Sequence, residues 1–383
     1  MSDLSIYIHY PFCLSKCPYC DFNSYKLSSL DEENFLRAYL GELDYYGRFF
    51  KDRKIKTIFF GGGTPSLISI NFLENIFKKI NDIWNIDNNI EISMEANPTT
   101  FEINKFKEFK NLGINRLSIG VQSFNDEILK FFGRIHSVEE AKKAIDIASK
   151  VFFDKYSIDL IYARPNQKLN DWLKELEEAI RFSPFHISLY QLIVEEGTKF
   201  FEDKIEELEE NKAAEMYKTT NEFLESNDIF LYEVSNYAKK GYECKHNLNY
   251  WNSGEWVGIG AGAHGRLCFN NDFINGYKLR TDIENIKNPI KWQKQVLEKG
   301  YGFEIKENLT KDEFIEEILL MGLRMRNGIS INNVKKYLKI DDLREILNKN
   351  YKNIEKYLNI SGENISVKLE YFEVLDYIVK NIL

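Results

Sequence analysis

Six short apolar runs, "LSIYIHY", "IKTIFF", "NIEISME", "INRLSIG", "KYSIDLIY" and "FHISLYQL", recur between residues 4 and 192, and every gap between them carries apolar residues at helical spacing. A strand that reaches its neighbour through a helix must run parallel to it, because the chain travels back before it re-enters the sheet. The pattern therefore predicts an α/β fold built on a parallel sheet, open or partly closed into a barrel. With 383 residues, 44% of them hydrophobic and 14% aromatic, the chain can bury a large core and one smaller domain besides.

Parallel sheets collect their functional groups at the C-terminal ends of the strands. Here Cys13, Cys17 and Cys20 follow the first strand, Gly61 to Thr64 the second, Glu95 the third, Gln122 the fourth and Asp159 the fifth. Five successive strand ends point to one site. A net charge of −8 gives no footprint for nucleic acid. The N-terminus "MSDLSIYIHYPFC" does not read as a secretory signal, and no segment approaches the ~18 apolar residues of a membrane helix. The expected location is the cytoplasm, where clustered cysteines hold metals or do redox chemistry rather than form disulfides.

Three of the five cysteines stand in "CLSKCPYC". Such spacing places three thiolates on one tight loop, as an iron-sulfur cluster requires, and leaves one iron of a cubane open to an outside ligand. The alternative is a zinc site completed by a histidine such as His9.

The cysteine motif resembles the radical S-adenosylmethionine (SAM) signature, with Tyr19 just before the last cysteine. "YIHYPFC", "FFGGGTPSL", "EANP", "NRLSIGVQSF", "GRIHS" and "IDLIYARPNQ" extend the likeness over most of residues 1 to 200. Together they resemble the family of the oxygen-independent coproporphyrinogen III oxidases and the HemW haem chaperones. The resemblance implies a partial (β/α)6 radical SAM barrel with a [4Fe-4S] cluster on Cys13, Cys17 and Cys20. It also implies SAM contacts from Tyr7, Tyr19, Gly62, Gly63, Thr64, Glu95, Gln122, Arg134 and Asp159. The glycines are expected to let backbone N–H groups approach the ligand. Charged and amide side chains would meet its carboxylate, sulfonium and ribose.

Two positions past Cys20 the oxidases carry a further cysteine, where this chain has Phe22; that departure favours the HemW-like branch. Downstream, His246, Asn247, Tyr250 and Trp251 match the HNxxYW motif associated with haem in that branch. An imidazole can ligate iron and aromatic faces can cover a macrocycle, so His246 is the first candidate for axial ligand. "GAGAHG" fits GxGxxG, but the polar, broken stretch after it opens no helix, so a dinucleotide site is rejected and the glycines read as a tight loop facing the site. His264 reads as structural, with a place in the pocket still open; Cys244 and Cys268 read as unligated thiols.

The expected organisation is a core barrel over 1–235, a connecting segment with the HNxxYW motif over 236–305, and a mostly helical domain over 306–383. Three functions remain open at this stage: a haem chaperone on a radical SAM scaffold, an oxidative decarboxylase of coproporphyrinogen III in porphyrin biosynthesis, and a zinc-stabilised structural protein. The resemblance implies haem-receiving apoproteins and an electron donor such as a flavodoxin or ferredoxin as partners. It allows peripheral membrane association without a span.

Overall fold

The computed structural model describes residues 3–27, 31–152, 155–270, 272–347 and 351–383. Strands β1 (Asp3–Tyr10), β2 (Lys54–Gly62), β3 (Asn85–Ala96), β4 (Arg116–Gln122), β5 (Tyr156–Tyr162) and β6 (His186–Gln191) lie side by side in chain order, each parallel to the next. These are the six apolar runs of the sequence. Strand β5 is buried at every position, which is why it reads as a continuous apolar run rather than an alternation.

The crossover helices follow from their own sequence. Helix α1 (Glu32–Phe50) starts where the Asp31 side chain accepts the Asn34 amide, and buries Phe35, Ala38, Tyr39, Leu43, Tyr46 and Phe50 along one stripe. Helix α2 (Ile70–Ile83) is capped by Ser69 in the same way. Helices α3 (Val138–Phe152) and α4 (Leu169–Ile180) cover the sheet further along. The segment after β3 forms two short helices, Thr100–Ile103 and Phe106–Asn111, instead of the single one its periodicity suggests. Glu102 holds the first of them inward, accepting the Asn97 amide at 2.7 Å and the Thr99 hydroxyl at 3.2 Å.

Beyond the sixth strand the sheet continues. The pair β7 (Phe230–Glu233) and β8 (Asn236–Ala238) adds antiparallel to β6, in the order β6-β8-β7. Helix α5 (Glu210–Glu225), whose charged surface hides Met216, Tyr217 and Leu224 beneath it, comes before that pair in the chain, and the short helix α6 (Lys245–Trp251) comes after it. The chain then returns to the opposite edge, where β9 (Trp256–Ile259) pairs parallel with β1 and makes a seventh parallel strand. Strands β10 (His264–Leu267), β11 (Thr281–Asn285) and β12 (Phe303–Asn308) extend that edge antiparallel. The residues around 236 and 305 thus belong to strands of one twelve-stranded sheet. The remainder packs α7 (Lys311–Gly322) and the terminal helix Leu375–Ile382 with a small sheet of Ile329–Ser330, Leu358–Ile360 and Asn364–Val367.

Candidate cluster and cofactor site

The cysteine loop is tied at its base. The two-residue strand Phe12–Cys13 pairs parallel with Tyr25–Lys26, the Leu27 amide donates to the Cys13 carbonyl at 2.8 Å, and the Cys20 amide donates to the Cys17 carbonyl at 3.1 Å. The Tyr19 ring meets Phe132 edge-on at 5.3 Å and fixes the far side of the loop. All three cysteines line one cavity of about 320 Å³. Burial pushes the Cys13 and Cys20 thiols up, and the neighbouring thiols add to it. Three adjacent thiolates need a cationic partner, and iron in a cluster supplies one. The zinc alternative fails on its fourth ligand. His9 Nδ1 bonds the Tyr7 hydroxyl at 2.9 Å and Nε2 bonds the Asn23 carbonyl at 2.9 Å, so neither nitrogen is open.

Gly62, Gly63 and Thr64 line the same cavity, but their amides do not serve a ligand as expected. The Gly62 N–H donates to Glu95 Oε2 at 3.2 Å, the Gly63 N–H to the Tyr10 carbonyl at 2.7 Å and the Thr64 N–H to the Phe12 carbonyl at 2.9 Å. Glycine is required here by close approach. A Cβ on Gly63 would stand 2.7 Å from the Phe12 carbonyl oxygen, and Gly62 takes φ 110° with the His9 ring where a Cβ would go. Tyr7 backs onto Gly61 and Phe59, and its hydroxyl is engaged by His9. It borders the site from the neighbouring groove.

Across the cavity stand the carboxyls. Burial and then the Asp159 carboxylate push Glu95 up to about 8. Asp159 is itself raised by burial, while Ser118 at 2.7 Å and Ser157 at 2.8 Å donate to it. Arg134 joins cluster loop to cofactor wall: Nη1 reaches Cys17 Sγ at 3.5 Å and Nη2 the Gly120 carbonyl at 3.0 Å and the Asn97 Oδ1. Gln122 sits at φ 67°, beyond a register shift in β4 that swings its side chain to the strand end. Its Oε1 is buried without a hydrogen-bond partner in a cavity wall, the state expected of a group that waits for a ligand. A cavity lined by carboxylates, an amide and three thiols fits a cluster-bound zwitterionic nucleoside such as SAM.

Sequence reasoning missed three residues. Asn97 links Thr64 to Arg134, and its only signal was its place in "EANP". Asn23 donates to the carbonyls of Ala261 and Lys287, both at 2.9 Å, tying the cysteine loop to the Gly260 to Ala263 turn. Glu42 on α1 holds that turn from behind, accepting the Gly260 amide at 2.8 Å and the Gly302 amide at 3.0 Å. The glycines of "GAGAHG" thus form a tight loop beside the cysteine loop; a Cβ on Gly262 would collide with Asn23.

The HNxxYW residues separate. His246 is fully buried: Nδ1 bonds Thr57 Oγ1 at 2.7 Å, Nε2 bonds the Tyr250 hydroxyl at 2.7 Å, the ring stacks on Phe59 at 5.1 Å, and burial pushes it down to about 3. As placed it has no nitrogen for iron, and its role is to seat α6 on β2. Glu91 completes that seat, accepting the amides of Lys245 and His246 at 3.1 Å. Asn247 borders an interior cavity that shares Glu95, Ser118 and Tyr190 with the cysteine-lined one, and Tyr250 borders both that cavity and the outer groove. Trp251 points the other way, into a crevice with Ile318, Met325 and Tyr337 of the C-terminal region. Cys244 and Cys268 are buried free thiols, each pushed up to about 12 by burial.

Comparison with known proteins gives two family matches, the Radical SAM superfamily over residues 7–179 and the HemN C-terminal domain over 309–369. The chain is 39% identical over 340 residues to the heme chaperone HemW of Buchnera aphidicola subsp. Schizaphis graminum, covering 88% of this chain and 89% of that protein. It is 41% identical over 267 residues to HemW of Escherichia coli, covering 70% and 71%. Among solved structures, the coproporphyrinogen III oxidase HemN of E. coli, a radical SAM enzyme, superposes with TM-score 0.82 at 20% identity over 100% of this chain and 90% of that one. The fold is thus that of a HemN-type radical SAM protein, and by sequence the chain belongs to the HemW family.

Proposed function

We propose that this chain carries haem to apoproteins on a radical SAM scaffold. One observation supports the reading above others: a groove of about 700 Å³ opens beside the cysteine loop, bordered by Tyr250, Trp256 and Phe22. Phe22, at the position where the oxidases carry a cysteine, is an exposed aromatic at 55% and offers an apolar cover for a macrocycle.

Cys13, Cys17 and Cys20 hold the [4Fe-4S] cluster of the superfamily. When bound, the reduced cluster supplies one electron for cleavage of SAM. The chain's own part is to position and to exclude. Arg134 holds Cys17 in register with the cofactor wall. Gln122 Oε1, unpartnered in the cavity wall, would accept from the cofactor, and Glu95 and Asp159, which line the same cavity, would meet its cationic and hydroxyl groups. Asn97 and Thr64 keep the wall from shifting. Residues 1–235 serve the cofactors in this reading, 236–305 the cargo, and 306–383 brace α6 through Trp251. Among the described residues no helix is long and apolar enough to cross a membrane. A cytoplasmic location and a flavodoxin or ferredoxin as electron donor complete the proposal.

The test is anaerobic reconstitution followed by haem titration, read by the haem absorption band, and then transfer to an apo-haemoprotein. Stoichiometric uptake and transfer are expected. Protoporphyrinogen IX formed from coproporphyrinogen III and SAM would instead establish the oxidase reading.

A further inference from the structure

The haem groove needs an iron ligand, and His246 is closed. The chain has five histidines. His9 and His246 have both ring nitrogens bonded, as above. His186 is bonded by Ser157 at 2.8 Å and Tyr232 at 2.9 Å, and His136 is buried with Nε2 on the Val121 carbonyl at 3.1 Å. His136 Nδ1 has no partner but is sealed in the interior; His264 is exposed where the other four are buried. It opens β10 just past the Gly260 to Ala263 turn, lines the groove, and its side chain is 47% exposed. Its Nδ1 lies 3.7 Å from Glu284 Oε1 on the adjacent strand β11, and Nε2 has no hydrogen-bond partner among the described residues.

A metal-bound histidine is oriented by a carboxylate beside its other ring nitrogen, and Glu284, within ion-pair reach of Nδ1 at 3.7 Å, is placed to serve that part for His264. The ring's base is fixed as well, since the Trp256 indole donates to the His264 carbonyl at 2.8 Å. The groove around it supplies the remaining chemistry of a haem site. Tyr250 and Trp256 meet edge-to-face at 4.5 Å on one wall, and Lys16 and Lys287 stand at the rim, where cations pair with carboxylate side chains. Its volume of about 700 Å³ lies within the range of sites that bury a large organic ligand. His264, Asp282 and Glu284 also bring their ligating atoms within 4.8 Å of one another. Asp282, however, is engaged by Arg266, which leaves the imidazole as the donor facing the groove.

We infer that His264, through Nε2, is the iron ligand that holds haem in this groove, with Glu284 as the residue that orients it. The inference rests on the haem-carrying reading above. It puts the cargo on the cluster side of the sheet, between the cysteine loop and β10.

The experiment compares full-length wild type with His264→Ala and His264→Gly, each titrated with haem and followed by absorption and EPR spectra. Circular dichroism and iron content check that the variants fold and keep the cluster; His264 is exposed, so both should. Wild type is expected to give a histidine-ligated spectrum, His264→Ala to lose that spectrum and at least about tenfold in affinity, and added imidazole to restore it in His264→Gly. Glu284→Gln should weaken binding without changing the ligand type. If wild type and His264→Ala bind haem with the same spectrum and affinity, the ligand assignment falls while the chaperone reading stands. If wild type takes up no haem at all, both fall.

Discussion

Gly63→Ala tests how closely the backbone under the cluster is packed. The added methyl would lie 2.7 Å from the Phe12 carbonyl oxygen and 2.9 Å from the Phe12 nitrogen and carbonyl carbon. Ordinary contacts begin near 3.4 Å, so something must move by about 0.5–0.7 Å. Neither side is free to do so. Gly63 and Thr64 are held by the Tyr10 and Phe12 carbonyls at 2.7 and 2.9 Å, and Phe12 is paired with Tyr25. Overpacking of this kind costs about 1–3 kcal/mol, and in a chain this large each kcal/mol lowers Tm by no more than about 2–4 °C. The larger effect is on the cluster, because Phe12 precedes Cys13 and the displacement moves the first thiol against the other two. Iron and sulfide per chain after anaerobic reconstitution should fall well below wild type, with Tm lower by a few degrees. Gly41→Ala in α1 is the control: its nearest neighbour is Val296 at 3.4 Å, and the change should be neutral or stabilising by about 0.5–1 kcal/mol. Wild-type cluster content and unchanged Tm in Gly63→Ala would refute the packing argument.

Gln122→Ala removes an oxygen that has no partner in the protein; SAM affinity measured by calorimetry should fall about tenfold, from the loss of ~1 kcal/mol or slightly more, with Tm of the apoprotein unchanged. Tyr250→Phe leaves His246 Nε2 buried and unpaired and should destabilise by about 1–3 kcal/mol in denaturant titration. In Trp251→Phe, by contrast, the lost indole N–H has no partner, so haem affinity should stay at the wild-type value. The pH dependence of stability has a definite sign. Burial pushes Glu42 and Glu95 up to about 8 and Glu233 up to about 7, so their contribution is full below the ordinary carboxylate range and is lost as pH rises toward 8. His246 and His136 are pushed down to about 3 and about 4, which makes their contribution full above about 6.5 and lost in acid. Thermal melts of the apoprotein should therefore show Tm falling as pH is raised from about 6.5 to about 8.5; a rise over that interval would contradict the burial of the three carboxyls.

The alternating apolar runs carried the parallel sheet because a strand covered on both faces must be apolar throughout, and helix stripes such as that of α1 repeat at 3.6 residues. Those are properties of neighbouring residues, visible in a window of ten. The cysteine loop was legible for the same reason: three thiols within eight positions meet whatever the rest of the chain does. The seventh parallel strand was not, since "WVGI" is only four residues long and takes its place by pairing with β1, some 250 positions earlier.

The state of each polar group lay still further from the sequence. "HNLNYW" names an imidazole but not its partners, and only the folded chain brings Thr57 and Tyr250 to its two nitrogens. "GAGAHG" names another, and only the pairing of β10 with β11 sets Glu284 behind it with its far side open. Local spacing determined which residues form the cysteine loop and the sheet; which of five histidines turns a free nitrogen to the open groove was decided by contacts between segments far apart in the chain, because the surroundings of a ring depend on what packs against it.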